Sequence, residues 1–286
     1  MRQTASQAMR NIVTIAHLTM AEARRRRIVL AAALCALAFL AFFAAALFFG
    51  HREMLRDPRM SFPERQMTLT ILTIIGFFAA NFLAVVFALL LPIDTLSGEM
   101  DSGVMQTLAS KPIHRAEIVM GKWAGHLVIA LAYLMLISTG IVLIVRAVAG
   151  FVPVNTAPAL PFMMLEVTLL LSVSIAGSAR LNTITNAVVA VAFYGIAFVG
   201  GFFEQIGAMA GVSSARTIGI VVSLISPGDA LWRLAVYYLQ PAIVRSIPTP
   251  INFLASVPTV WMVWWAVGFT VLTLVYGVRT FMRRNL

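Results

Sequence analysis

Glu166 lies inside a long apolar run of a chain that holds only 11 Asp and Glu residues. An acid in such a run marks a transport path, a proton relay or a paired structural charge. Arg146 lies near the end of the preceding apolar run, so a hairpin between the two runs predicts that Arg146 and Glu166 meet, as an ion pair or as a contact for cargo. The rest of the reactive inventory points away from catalysis. His17, His51, His114 and His126 are scattered, with no i, i+4 pair and no Cys/His cluster, so no metal site is expected. The single cysteine, Cys35, supports no disulfide framework. Gly121-Lys122 runs straight into Trp123 and lacks the upstream glycine of a phosphate loop, so no nucleotide site is expected. Ser138, Ser172 and Ser174 read as hydrogen bonders between helices rather than nucleophiles. No catalytic residue is assigned.

The elements that must position these residues are membrane helices. The chain is 60% hydrophobic and 11% charged, which excludes an ordinary soluble domain. About 20 helical residues cross the hydrocarbon of a bilayer, and six runs qualify: 28–49, 69–93, 123–149, 162–179, 184–203 and 260–278. The expected fold is an all-α polytopic membrane protein forming one transmembrane domain over residues 1–286. Residues 1–27 precede the first span. Met9, Ile12, Val13, Ala16 and Met20 form an apolar stripe there, with Asn11 off it, which predicts an amphipathic interfacial helix. Arg24–Arg27 hold that end in the cytoplasm and favour contact with anionic membrane lipids. The net charge of +10 therefore needs no nucleic acid. The first apolar run is too long for a signal peptide. His51–Gln66 reads as an outer loop and Arg180–Thr183 as a tight inner turn. Residues 204–258 read as outer amphipathic or re-entrant helices, with Asp229 capping a helix over Ala230–Gln240. A seventh span at Gly207–Ile225 would place the Arg-rich C-terminus outside. Six spans put both termini in the cytoplasm, with the larger share of Lys and Arg inside.

The polar stretch 94–122 separates spans two and three. Gly98 and Gly103 permit bends. Val104, Met105 and Leu108 give one apolar side to a short helix, and Pro112 stops it. His114 through Gly125 reads as the start of the next long helix, with Glu117 favourably placed in its first turn. Gly121-x3-Gly125 is either a small-residue packing motif or a chance spacing.

Gly98-Glu99, Gly103, Leu108, Pro112, Arg115 and Gly121-Lys122 resemble the first cytoplasmic loop of ABC-2 type transporter permeases, a family that includes the nitrous oxide reductase maturation type. Val104, Met105 and His114 depart from that pattern. Ser226-Pro227-Gly228-Asp229 through Arg233 is similar to an outer segment of the same family. The resemblance implies that loop 94–122 docks on a separate ABC ATPase through Gly98, Glu99, Gly103, Leu108, Pro112 and Arg115. It also implies a homodimer of permeases with two ATPase copies, and ATP and Mg on the ATPase, with no cofactor in this chain. Export across the cytoplasmic (inner) membrane is the direction it favours. Two other classes compete. A membrane scaffold would lack substrate-stimulated ATP hydrolysis. An intramembrane enzyme would need convergent catalytic groups that the spans do not offer. The spans lack a charged lining, which favours lipidic or amphiphilic cargo over a free ion.

Overall fold

The computed structural model describes residues 2–98, 114–150, 155–241, 254 and 256–283. Among them are nine helices and no strand: α1 Arg2–Ala23, α2 Arg27–Arg56, α3 Phe62–Leu90, α4 Arg115–Ala149, α5 Thr156–Ser178, α6 Thr183–Ala210, α7 Ser213–Ile225, α8 Gly228–Leu239 and α9 Val260–Met282. Six of them (α2 to α6 and α9) are long and apolar enough to cross a bilayer. The expectation of an all-α membrane protein with six spanning helices holds. Of residues 94–122, the stretch 99–113 lies outside the described residues, so the short helix carrying Leu108 does too.

The helices form one bundle with α3 and α5 at its centre. Of their most apolar stretches, 56% and 61% are buried, against 11% for α2 and 17% for α9, which therefore lie at the periphery. Phe77, Leu134, Ile137, Ile141 and Leu171 are fully enclosed where α3, α4 and α5 meet. Lipid is as apolar as these side chains, so close packing of small residues must hold such helices together. Gly277 of α9 lies against the backbone of Ala176, where an added Cβ would come within 3.0 Å of the Ala176 Cα.

Several helices are longer than the apolar runs predict. The polar residues after Phe49 continue α2 to Arg56, and α3 begins at Phe62, so the expected loop over His51–Gln66 shrinks to 57–61. A Ser61–Glu64 capping box opens α3, with Pro63 in its first turn. Polar helix ends of this kind carry no apolar periodicity, which is why hydropathy misses them.

The N-terminal helix lies against α4. Asn11 meets Glu117, Ile15 meets Gly121 and Thr19 meets Gly125, all at the same separation of 106 residues, so α1 and α4 run parallel. A Cβ at Gly121 would lie 2.6 Å from the Ile15 Cβ, and one at Gly125 would lie 2.7 Å from the Ala16 carbonyl oxygen. The Gly121-x3-Gly125 spacing is thus a seat for α1. Its inward face is rotated from the expected stripe: Asn11 packs inward, while Met9 and Val13 are exposed. The glycine groove selects the side of α1 that approaches most closely. After a break at Arg24–Arg26, α2 continues along the same helix, with the Tyr133 hydroxyl donating to the Ala32 carbonyl (3.1 Å) and Leu40 packed on Gly140.

At the opposite end, α6 runs on to Ala210 and the chain reverses at Gly211, whose φ of 70° is the left-handed conformation that glycine adopts freely. α7 then packs antiparallel on α6, with Gly200 against Val222, Gly219 against Glu204 and Gly207 against the Arg216 backbone. The chain bends by 107° into α8. α8 runs back along α5: Gly228 lies near Glu166, Tyr238 stacks on Phe162, and the Gln240 carbonyl accepts from Asn155 at 3.1 Å. α7 and α8 therefore enter the bundle and return to the end they left, as a re-entrant pair.

Candidate functional site

The structure presents two candidate regions, one at the loop end of the bundle where α3 stops and α4 begins, and one at the far end around α7 and α8.

At the loop end, Pro92 has no N–H to continue the α3 ladder, and the Ile93 N–H turns to the Leu90 carbonyl. Two side chains take up the carbonyls near this break. The Ser174 hydroxyl donates to the Leu89 carbonyl (2.6 Å), and the Asn186 amide donates to the carbonyls of Ile93 (3.0 Å) and Ser174 (2.9 Å). Gly177 makes this possible, because a Cβ there would collide with the Asn186 side chain. The next residues are also held. Arg26 contacts Asp94 at 2.6 Å and Glu22 at 2.7 Å. Thr95 lies 3.4 Å from His126 Nε2, and Ser97 lies 3.2 Å from the Thr183 hydroxyl. On the α4 side, the Asn11 amide donates to Glu117 at 2.8 Å. Burial alone would disfavour the Arg26 charge, but the hydrogen bonds and charges of Glu22 and Asp94 outweigh it and hold the guanidinium above its ordinary value.

Of the loop residues the sequence singled out, Gly98 closes the α3 side beside Asp94, and Arg115 opens α4 and donates to the Met282 carbonyl at 3.4 Å. Glu99, Gly103, Leu108 and Pro112 lie outside the described residues.

Glu166 is buried in α5, but its partner is Asn81 of α3, whose amide donates to Oε2 at 2.9 Å. Arg146 is exposed near the end of α4, and the structure does not bring the two together. Arg146 lies in the last turn of α4, whereas α5 already begins at Thr156 and carries Glu166 towards its middle. With Trp123 of α4 bonded to Ser172 of α5, the two antiparallel helices hold Arg146 and Glu166 at different depths, and the expected pairing fails. Asn81 could have been flagged by its type, since an amide in an apolar run needs a polar partner.

The far end holds a charge cluster that the sequence reading missed. Arg233 of α8 reaches Glu204 of α6 at 2.8 Å and Asp229 at 2.9 Å, with all three buried or nearly so. The Ser223 hydroxyl lies 3.1 Å from Arg233, and the Ser256 hydroxyl donates to Glu204 at 2.7 Å. Asp229 sits inside α8 and faces Arg233 rather than capping the helix; the N-cap position belongs to Pro227. Its spacing from Arg233, i to i+4 on one helix face, was the available signal. Glu204 escaped because α6 is longer than its apolar run, and it is buried there as Glu166 is in α5. Two cavities of about 410 Å³ each flank the cluster, one against α3 and α6, the other against α7 and the start of α9. Among the described residues, no three His, Cys, Asp or Glu side chains group as a metal ion would require.

The sequence model for the ABC-2 family transporter protein matches residues 13–286. A stretch of 57 residues, 20% of this chain, is 42% identical to the probable ABC transporter permease protein NosY of Stutzerimonas stutzeri and spans 21% of that protein's length. The family match takes in every candidate spanning helix and the whole of segment 94–122, and on that ground the chain belongs to the ABC-2 family of transporter proteins, as a multi-pass membrane subunit.

Proposed function

We propose that this chain is the membrane-spanning permease of an ABC exporter, driven by ATP hydrolysis on a separate ATPase subunit that docks on segment 94–122. Membership of the ABC-2 family implies an ABC ATPase partner in general. The observation that carries the more specific reading is the bracing of both ends of that segment. Asp94 is tied to Arg26 and Glu117 to Asn11, so the entry and the exit of the segment are both bonded to the N-terminal arm. A push on the segment is then delivered to α3, α4, α1 and α2 together, as a rigid-body displacement requires.

In this reading ATP and Mg bind the ATPase, two ATPase copies serve a homodimer of permeases, and the complex sits in the inner membrane with both permease termini in the cytoplasm. The exposed Met9 and Val13 face of α1 suits the lipid interface on that side. Leu108 supplies the apolar contact to the ATPase, with Glu99 and Arg115 as polar contacts or braces.

Leu108→Asp tests the docking. The variant should insert and melt like the parent but lose copurification with its ATPase. An intact variant complex with normal transport would overturn the assignment.

A further inference from the structure

The cavity between α3, α6 and α8 has a composition that selects a ligand class. Four of its rings touch in sequence: Trp232 and Phe78 have centroids 5.6 Å apart, Phe78 and Phe198 6.4 Å, and Phe198 and Phe202 5.0 Å. Asp229 and Arg233 line the same cavity. The two charges do not cancel there. Both terminal nitrogens of Arg233 lie against Glu204, Nη2 donating to Oε2 and Nη1 in ion-pair contact with Oε1, each at 2.8 Å, and Glu204 does not line this cavity. Only the Nε edge of the guanidinium reaches Asp229, at 2.9 Å. Two carboxylates thus share one guanidinium, and Asp229 is the one on the cavity side. Gly201 of α6 also lines the cavity, and a Cβ at that position would collide with the Asp229 carboxylate. The missing side chain is what admits the acid to this wall.

A surplus negative charge and a row of aromatic faces both attract a cation, and the attraction grows when the cation leaves water. The apolar walls require the rest of the ligand to be apolar. We propose that this cavity binds a monovalent lipophilic cation, with its charge toward Asp229 and its apolar groups against Phe78, Phe198, Phe202 and Trp232. The inference rests on the reading of the chain as a transporter subunit, because it names the cargo class of that transporter.

Tetraphenylphosphonium and tetraphenylborate have nearly the same shape and opposite charge, so they separate charge selection from plain hydrophobicity. Binding of each is measured by equilibrium dialysis to the full-length permease in nanodiscs, with binding to empty nanodiscs subtracted. The phosphonium should bind saturably and at least about tenfold more tightly than the borate. Phe198→Ala should weaken phosphonium binding by about tenfold, through loss of one ring from the wall. Asp229→Asn should erase the preference for the cation. If that variant does not fold, Phe198→Ala and the paired ions still decide. Equal or tighter borate binding, or phosphonium binding unchanged in Phe198→Ala, overturns the proposal. Failure here leaves ATPase copurification and its loss in Leu108→Asp untouched, so the two readings fall separately.

Discussion

Arg26 lies at the break between α1 and α2 and contacts Asp94, 68 residues further on, at 2.6 Å, which joins the N-terminal arm to the first polar residue after α3. The same guanidinium holds Glu22 one turn back, so it bridges the arm to itself and to the segment. Because its partners raise its ordinary value, the stabilisation it provides is complete below the arginine range. That stabilisation is lost only as pH rises through the raised value, so the bridge persists throughout the neutral range. Arg26→Gln should cost less than about 1 kcal/mol in stability, because the bridge is partly solvated. It should lower the transport obtained per ATP hydrolysed while hydrolysis continues. Asp94→Asn should do the same, and the double variant should be no worse than either. Melting temperature and the transport-to-hydrolysis ratio, measured on the reconstituted complex, check this; additive losses would show that the two residues act apart.

Gly121 is one of the two glycines of α4 on which α1 is seated. Gly121→Val should push α1 off its seat, at a cost of about 1–3 kcal/mol for overpacking. In a chain with Cys35 replaced, cysteines at positions 11 and 117 should cross-link readily, and adding Gly121→Val should suppress the cross-link. Unchanged cross-linking would mean that the α1 register seen here is not kept in the membrane.

Asn81 is the donor that makes Glu166 tolerable in the bundle. Asn81→Leu should cost about 1–3 kcal/mol, because it leaves a buried acceptor unpaired. Arg146→Gln changes an exposed side chain and should stay within about 0.5 kcal/mol of the parent. Replacing Asn81 and Glu166 together by leucine should recover much of the loss. Melting in detergent reads all three, and a large loss from Arg146→Gln would restore the pairing with Glu166.

Arg233→Met should be the most destabilising of these changes, by about 3–5 kcal/mol, since it strands Glu204 and Asp229 without their cation. Replacing all three by apolar residues of similar volume should return the melting temperature toward that of the parent. If Arg233→Met alone melts like the parent, the cluster is solvated and does not hold α8 to α6.

Sequence alone determined the membrane class, the number of spanning helices, the family and the position of the polar segment 94–122. Hydropathy and helix length suffice for the first two, because a bilayer imposes the same length and apolarity on every crossing. Local glycine and proline chemistry marked the polar segment, and Pro92 does end the regular ladder of α3. Which faces meet was decided only by tertiary structure. The sequence placed Asn11 off the buried stripe and paired Glu166 with Arg146, yet Asn11 holds Glu117 and Glu166 accepts from Asn81. α1 turns to its glycine seat rather than to its apolar stripe. α5 starts six residues before its expected span, at Thr156, which sets Glu166 deeper than the apolar run suggests. In apolar helices every side suits lipid equally, so periodicity carries little information about rotation. The choice falls to small-residue grooves such as Gly121 and Gly125, and to polar partners distant in the chain, such as Glu204 and Arg233.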